Sequence, residues 1–141
     1  MKNKITLLAA TVILLLEFSL QAQSVSSDTN SDKLVIVWTS DDPYTAERMV
    51  LMYGHAAKTA GWFEEVTIII WGPSAKMVAE NIKIQEKLKT MQEDGVEIRA
   101  CVVCANMYEV TEELKGMGFD VQGMGKPLTE YLKGDAKVLT F

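Results

Sequence analysis

The chain has 141 residues, with 14 Lys and Arg against 19 Asp and Glu and a formal net charge of −5. Without a basic run, this acidic composition offers no footprint for a nucleic-acid backbone or an anionic membrane surface. One histidine and two cysteines fall short of the four ligands of a structural zinc site, so no metal is implied.

Met1-Lys2-Asn3-Lys4 precedes an apolar run from Ile5 to Leu16, and Leu20-Gln21-Ala22 supplies a small residue where signal peptidase would cut. Residues 1–22 therefore read as a secretory signal peptide. The run is short for a membrane span, and Glu17 interrupts it where such a helix would continue. The expected location is periplasmic or secreted, with no stable membrane insertion after cleavage. Residues 23–32, QSVSSDTNSD, are polar and patternless and read as a flexible leader. Residues 33–141 form a segment of one domain's length, able to bury a core without staples.

Within that domain, Leu34 to Trp38 and Val66 to Trp71 are continuous apolar runs of strand length, as expected of parallel strands covered on both faces. Val96 to Val103, Phe119 to Val121 and Lys137 to Phe141 make three more candidate strands. Helical spacing runs from Pro43 to Ala60 and from Ala75 to Glu93, the first stopping at Gly61 and the second near Gly95. Asn106 to Lys115 and Leu128 to Lys133 read as shorter helices. This alternation predicts a three-layer α/β/α sandwich with a mostly parallel five-stranded sheet. Ligands of open α/β sheets sit outside the carboxyl ends of the strands. That rim comprises Thr39 to Asp42, Trp71 to Ser74, Cys104 to Asn106 and Gly123 to Lys126.

The rim includes the end of a C-x-x-C pair, Cys101 and Cys104, which are the chain's two cysteines. Cys101 is expected inside the third strand. Cys104 is expected at the strand-to-helix junction, with Asn106 capping the next helix. A thiol at a helix start is expected to ionise more readily, which makes Cys104 the candidate nucleophile. A thioredoxin-like dithiol would place both cysteines in the first turn of a helix, whereas Val102-Val103 reads as strand continuation. A disulfide over so short a spacing would add little stability. Two inert buried thiols remain an open alternative.

Elsewhere on the rim, Asp41 could face a substrate, while Asp42 before Pro43 fits a helix N-cap followed by a first-turn proline. Trp71 fits either a pocket wall near Cys104 or a core or interface aromatic. Asn106, beside Cys104, completes the candidate substrate contacts. His55 fits either an acid/base near a thiol or a surface or interface histidine. The methionines read as core and interface filling rather than copper ligands. No strand–G-x-G-x-x-G–helix unit and no nucleophile elbow is present.

A third strand ending in hydrophobic-Cys-x-x-Cys and the closing run Asp135-Ala136-Lys137-Val138-Leu139-Thr140-Phe141 resemble the DsrE/DsrF-like family of sulfur-relay proteins, over nearly all of residues 33–141. The resemblance implies a homotrimer or homohexamer in which a cysteine at the Cys104 position holds sulfane sulfur as a persulfide. It implies a sulfurtransferase or sulfur carrier without a cofactor, whose partner is a small sulfur compound or a persulfidated protein. Cys101 is the candidate resolving thiol, and a reversible Cys101–Cys104 disulfide of an oxidoreductase is a further reading. The exported location and the absence of a glycine-rich turn after Cys104 depart from the family's pattern. A non-catalytic oligomeric module, binding a ligand or partner with inert cysteines, is the alternative from another class.

Overall fold

The computed structural model describes residues 32–141, so the expected signal peptide and nearly all of the leader lie outside the described residues. Five strands, β1 (Lys33–Trp38), β2 (Glu65–Ile70), β3 (Glu97–Cys101), β4 (Asp120–Gln122) and β5 (Lys137–Thr140), form one sheet in the order β4-β3-β2-β1-β5. Every pairing is parallel, with Ile36 beside Ile68 and Leu139, and Ile68 beside Ile98. The expected mostly parallel sheet is thus wholly parallel.

Helix α1 runs through Pro43–Thr45, a π-helical Ala46–Leu51 and Met52–Thr59. It is followed by α2 (Ser74–Glu80), α3 (Ile82–Glu93), α4 (Val102–Met107), α5 (Thr111–Gly116) and α6 (Gly125–Lys133). From β1 to β4 the chain steps across the sheet in one direction, and right-handed crossovers then put their helices on the same face. The return from β4 to β5 passes beyond β1, which puts its helix on the other.

The core follows this division. Leu34, Ile36 and Trp38 of β1, Ile68 and Ile70 of β2 and Ile98 of β3 pack beneath Val50 and Leu51 of α1, Val78 of α2, Leu88 and Met91 of α3 and Leu114 of α5. On the opposite face Val35, Ile69 and Cys101 pack with Met124, next to the start of α6, and with Tyr131 inside that helix. The wider turn of the π-helix brings Ala46, Val50 and Leu51 to one face, all buried.

Three boundaries differ from the sequence expectations, each for a local reason. The third strand ends at Cys101, and Val102 already opens α4, so two β-branched residues read as strand are the first helical residues. The long helix expected from Ala75 to Glu93 is two helices broken at Asn81. Its backbone is extended (φ −118°, ψ 99°), and its side chain accepts from the Ile84 N–H at 3.3 Å, an N-cap within a helical pattern. The helix expected from Asn106 to Lys115 is likewise α4 and α5, separated around Glu109, whose φ of 59° leaves the right-handed region.

Candidate functional site

The strand-to-helix transition at the end of β3 sets the geometry of the cysteine pair. Cys101, last residue of β3, is also the N-cap of α4 with extended backbone (φ −73°, ψ 111°), and Cys104 is the helix's third residue. A side chain at an N-cap turns back toward the third helical residue, which is why capping side chains reach the N–H there. The two thiols accordingly share one apolar cluster, Cys104 packing against the group that holds Cys101. Asn106, expected to cap this helix, instead lies inside it; Cys101 holds the N-cap position.

The two thiols have unlike surroundings. Cys101 is 4% exposed, among Val35, Ile69 and Met124, whereas Cys104 is half-buried and, like Trp71, packs against that cluster. The backbone N–H groups of Gly72 and of Cys104 itself favour the Cys104 thiolate. Gly72 holds φ 69°, a left-handed conformation natural to glycine, in the turn that leaves β2. Ser74, fully buried, fixes that turn: its hydroxyl donates to the Trp38 carbonyl at 2.6 Å and accepts from the Trp71 N–H at 3.1 Å. The ends of β1 and β2 are thereby held together.

Contrary to the lowered pKa expected from a helix start, the Cys104 pKa is raised above its ordinary value. Burial is the largest cause, and the hydrogen bond and charge of Cys101 add to it. The N–H groups of Gly72 and Cys104 work in the other direction without overcoming burial. With six residues, α4 is also a short source of dipole. Both cysteines are free thiols.

The remaining candidates separate into those near the rim and those engaged elsewhere. Trp71 packs with Cys104 in the smaller apolar cluster. Asp41 lines a rim pocket of about 500 Å³ with Pro73, Lys76, Met77, Asn81 and Tyr108. Tyr108 lies one helical turn beyond Cys104, and its N–H donates to the Cys104 carbonyl at 3.1 Å, so this pocket adjoins the thiol's own helix. Asp42 caps α1, its carboxylate accepting from the Thr45 N–H at 2.9 Å, with Pro43 in the first turn. Asn106 is not gathered with the thiol. Two residues beyond Cys104, roughly 200° around the helix, it accepts from Thr111 Oγ1 at 2.7 Å and ties α4 to α5.

His55 is also distant in topology. Its Nε2 meets Asp94 at 2.6 Å and its Nδ1 meets Lys87 Nζ at 2.6 Å. Asp94 follows α3 and precedes β3, the end of that strand opposite Cys101. Lys87 has only protons to give, so the pair of bonds sets neutral His55 as the tautomer donating from Nε2 to Asp94. Among the described residues no group of three or more His, Cys, Asp or Glu is placed to hold a metal, and no helix is long and apolar enough to cross a membrane.

Gly72, Ser74 and Tyr108 were not singled out from sequence. The Trp71-Gly72-Pro73-Ser74 turn was visible as a rim segment, but the direction of the Gly72 N–H depends on how β2 and β3 align.

With this geometry established, a model of the DsrE/DsrF-like family matches residues 32–141. The chain belongs to the DsrE/DsrF-like family. A solved structure from Bacteroides thetaiotaomicron, described as a conserved protein of unknown function, is 37% identical; the match covers 82% of this chain and 100% of that one, with a TM-score of 0.77. Among curated proteins no match is found. The family is one of sulfur-relay type, and as a DsrE-like chain this protein shares its parallel α/β architecture.

Proposed function

We propose that this DsrE-like protein accepts sulfane sulfur on Cys104 and passes it on, acting as a sulfur carrier or sulfurtransferase. The observation that carries the reading is the placement of a half-buried Cys104 thiol at the carboxyl rim, in the first turn of the helix that follows β3. In the step proposed, the Cys104 thiolate attacks the outer sulfur of a donor persulfide. A new Cys104 S–S bond forms, the donor's S–S bond breaks, and the donor leaves as its thiolate. The proton on the transferred sulfur travels with it. Asp41, in the adjoining pocket, and Trp71, packed against the same cluster as Cys104, are the residues proposed to contact the sulfur compound or the persulfidated protein that delivers it.

The proposal includes export by the N-terminal segment and assembly as a homotrimer or homohexamer. Exposed apolar residues on α4, Val103 at 62% and Met107 at 72%, support an assembly through that helix.

Intact mass of the reduced protein after brief exposure to polysulfide tests the central step. A reductant-reversible gain of one sulfur on wild type and none on Cys104→Ser is the expected result; equal loading of both would overturn it. The raised Cys104 thiol favours a second reading, a ligand- or partner-binding module with inert cysteines. That reading predicts no sulfur uptake by wild type and alkylation of Cys104 only on unfolding.

A further inference from the structure

The pair of thiols at the start of α4 has a consequence beyond sulfur carriage. Cys101 is buried at the N-cap of α4, and Cys104, the third residue of that helix and the more accessible of the two, packs against the cluster that holds Cys101. Any sulfur arriving from outside therefore meets Cys104 first, while Cys101 waits behind it on the inner side. A persulfide built on Cys104 keeps its inner sulfur, Sγ, on the helix turn that starts at a second, buried thiol.

We infer that Cys101 resolves the Cys104 persulfide, converting the carried sulfane sulfur into sulfide and leaving an internal Cys101–Cys104 disulfide. This inference rests on the persulfide reading above. Cys101 loses its proton, and its thiolate attacks Sγ of Cys104. The Cys101–Cys104 S–S bond forms, and the bond from Sγ to the outer sulfur breaks. The outer sulfur leaves with that electron pair as hydrosulfide, which takes up the released proton as hydrogen sulfide. The sulfane sulfur is reduced and the two cysteines supply both electrons, so no oxidant is needed. A dithiol reductant then returns the pair to free thiols by exchange at the disulfide. The placement of both thiols on one helix turn makes the attack intramolecular, and the short ring closed by a C-x-x-C disulfide restrains the unfolded chain little, so reduction gives up little stability. The substrate class is a persulfide or polysulfide, and the product of this step is sulfide, formed whenever no acceptor takes the sulfur first.

The test compares wild type with Cys101→Ala and Cys101→Ser, each loaded with polysulfide, freed of excess by gel filtration and followed by intact mass and sulfide assay. Wild type is expected to release one equivalent of sulfide while its mass falls to two hydrogens below that of the reduced protein. Both variants are expected to keep the added sulfur, with a persulfide lifetime at least about tenfold longer. The wild-type readout, sulfide matched to internal disulfide, needs no variant and stands if a substitution impairs folding. Equal persulfide lifetimes in all three proteins, or sulfide release without the disulfide, would overturn the inference alone. Absence of sulfur loading and sulfide release in all three overturns the persulfide reading with it.

Discussion

At the residue scale the Cys104 thiol is governed by competition between burial, which raises it, and two N–H donors, which lower it. Cys101 adds to the upward side. Replacing Cys101 by Ala removes that contribution, so the midpoint of Cys104 alkylation against pH is expected to move downward and the rate at neutral pH to rise. An unchanged midpoint would deny that contribution. The same shift has a sign for stability. The folded state keeps the Cys104 proton where an unfolded cysteine, with a value of about 8.5, has lost it. The contribution is present below that value and is lost as pH rises through the higher folded value. Denaturation midpoints followed from pH 7.5 upward should therefore fall more steeply for wild type than for Cys104→Ala. Gly72 is the other residue with a defined role. A Cβ there meets nothing within 4 Å, but φ 69° is left-handed. Gly72→Ala is thus expected to cost about 1–2 kcal/mol through backbone strain rather than collision, measured by urea denaturation. It should also slow sulfur uptake by moving the N–H away from Cys104.

At the element scale, what the sequence disclosed and what it withheld have separate physical origins. The buried strands β1 and β2 were legible because parallel strands covered by helices are apolar on both faces, and Ile68, Ile69 and Ile70 leave little else to form. The end of β3 was not. Val102 and Val103 favour strand locally, yet the start of α4 is decided by Ala105 entering the core beneath the same helix layer as Leu114. That two-residue difference moved Cys101 from mid-strand to an N-cap and put both thiols on one helix turn, so the element boundary controls the chemistry of the site. Asn81 could have been seen as a cap, but no glycine or proline marked the break between α2 and α3. The smaller face depends on a single buried side chain near α6. Met124, 1% exposed, packs with Val35, Ile69 and Cys101. Truncation to Ala opens a void beside Cys101 and is expected to cost about 2–5 kcal/mol. Calorimetry would show a lowered unfolding midpoint, and a loss well below 1 kcal/mol would mean that α6 is not anchored there.

At the scale of the whole molecule, strand order was the piece that sequence could not supply, because each crossover reads the same whichever neighbour it reaches. The order β4-β3-β2-β1-β5 places five helices on one face and α6 on the other, and it puts the cysteine pair at the carboxyl end of β3, between the turns that follow β2 and β4. Val103 and Met107 are four residues apart and share one stripe of α4, exposed at 62% and 72% on the helix that carries Cys104. An apolar stripe facing water is unfavourable, and joining copies of the chain through it would remove that surface from solvent beside the thiol. Under the proposed assembly, light scattering is expected to give a mass of three or six chains. The double substitution Val103→Glu and Met107→Glu is expected to lower it to that of one chain while the circular dichroism of the fold is retained, since neither side chain belongs to the core. Sulfur loading separates two roles for the assembly. If monomers still load Cys104, the contact serves association alone; if loading is lost while Cys104 alkylation persists, a neighbouring copy completes the pocket lined by Asp41 and Tyr108. A wild-type mass of one chain at micromolar concentration would remove the assembly from the proposal and leave the chemistry of the thiol pair to be judged on a single chain.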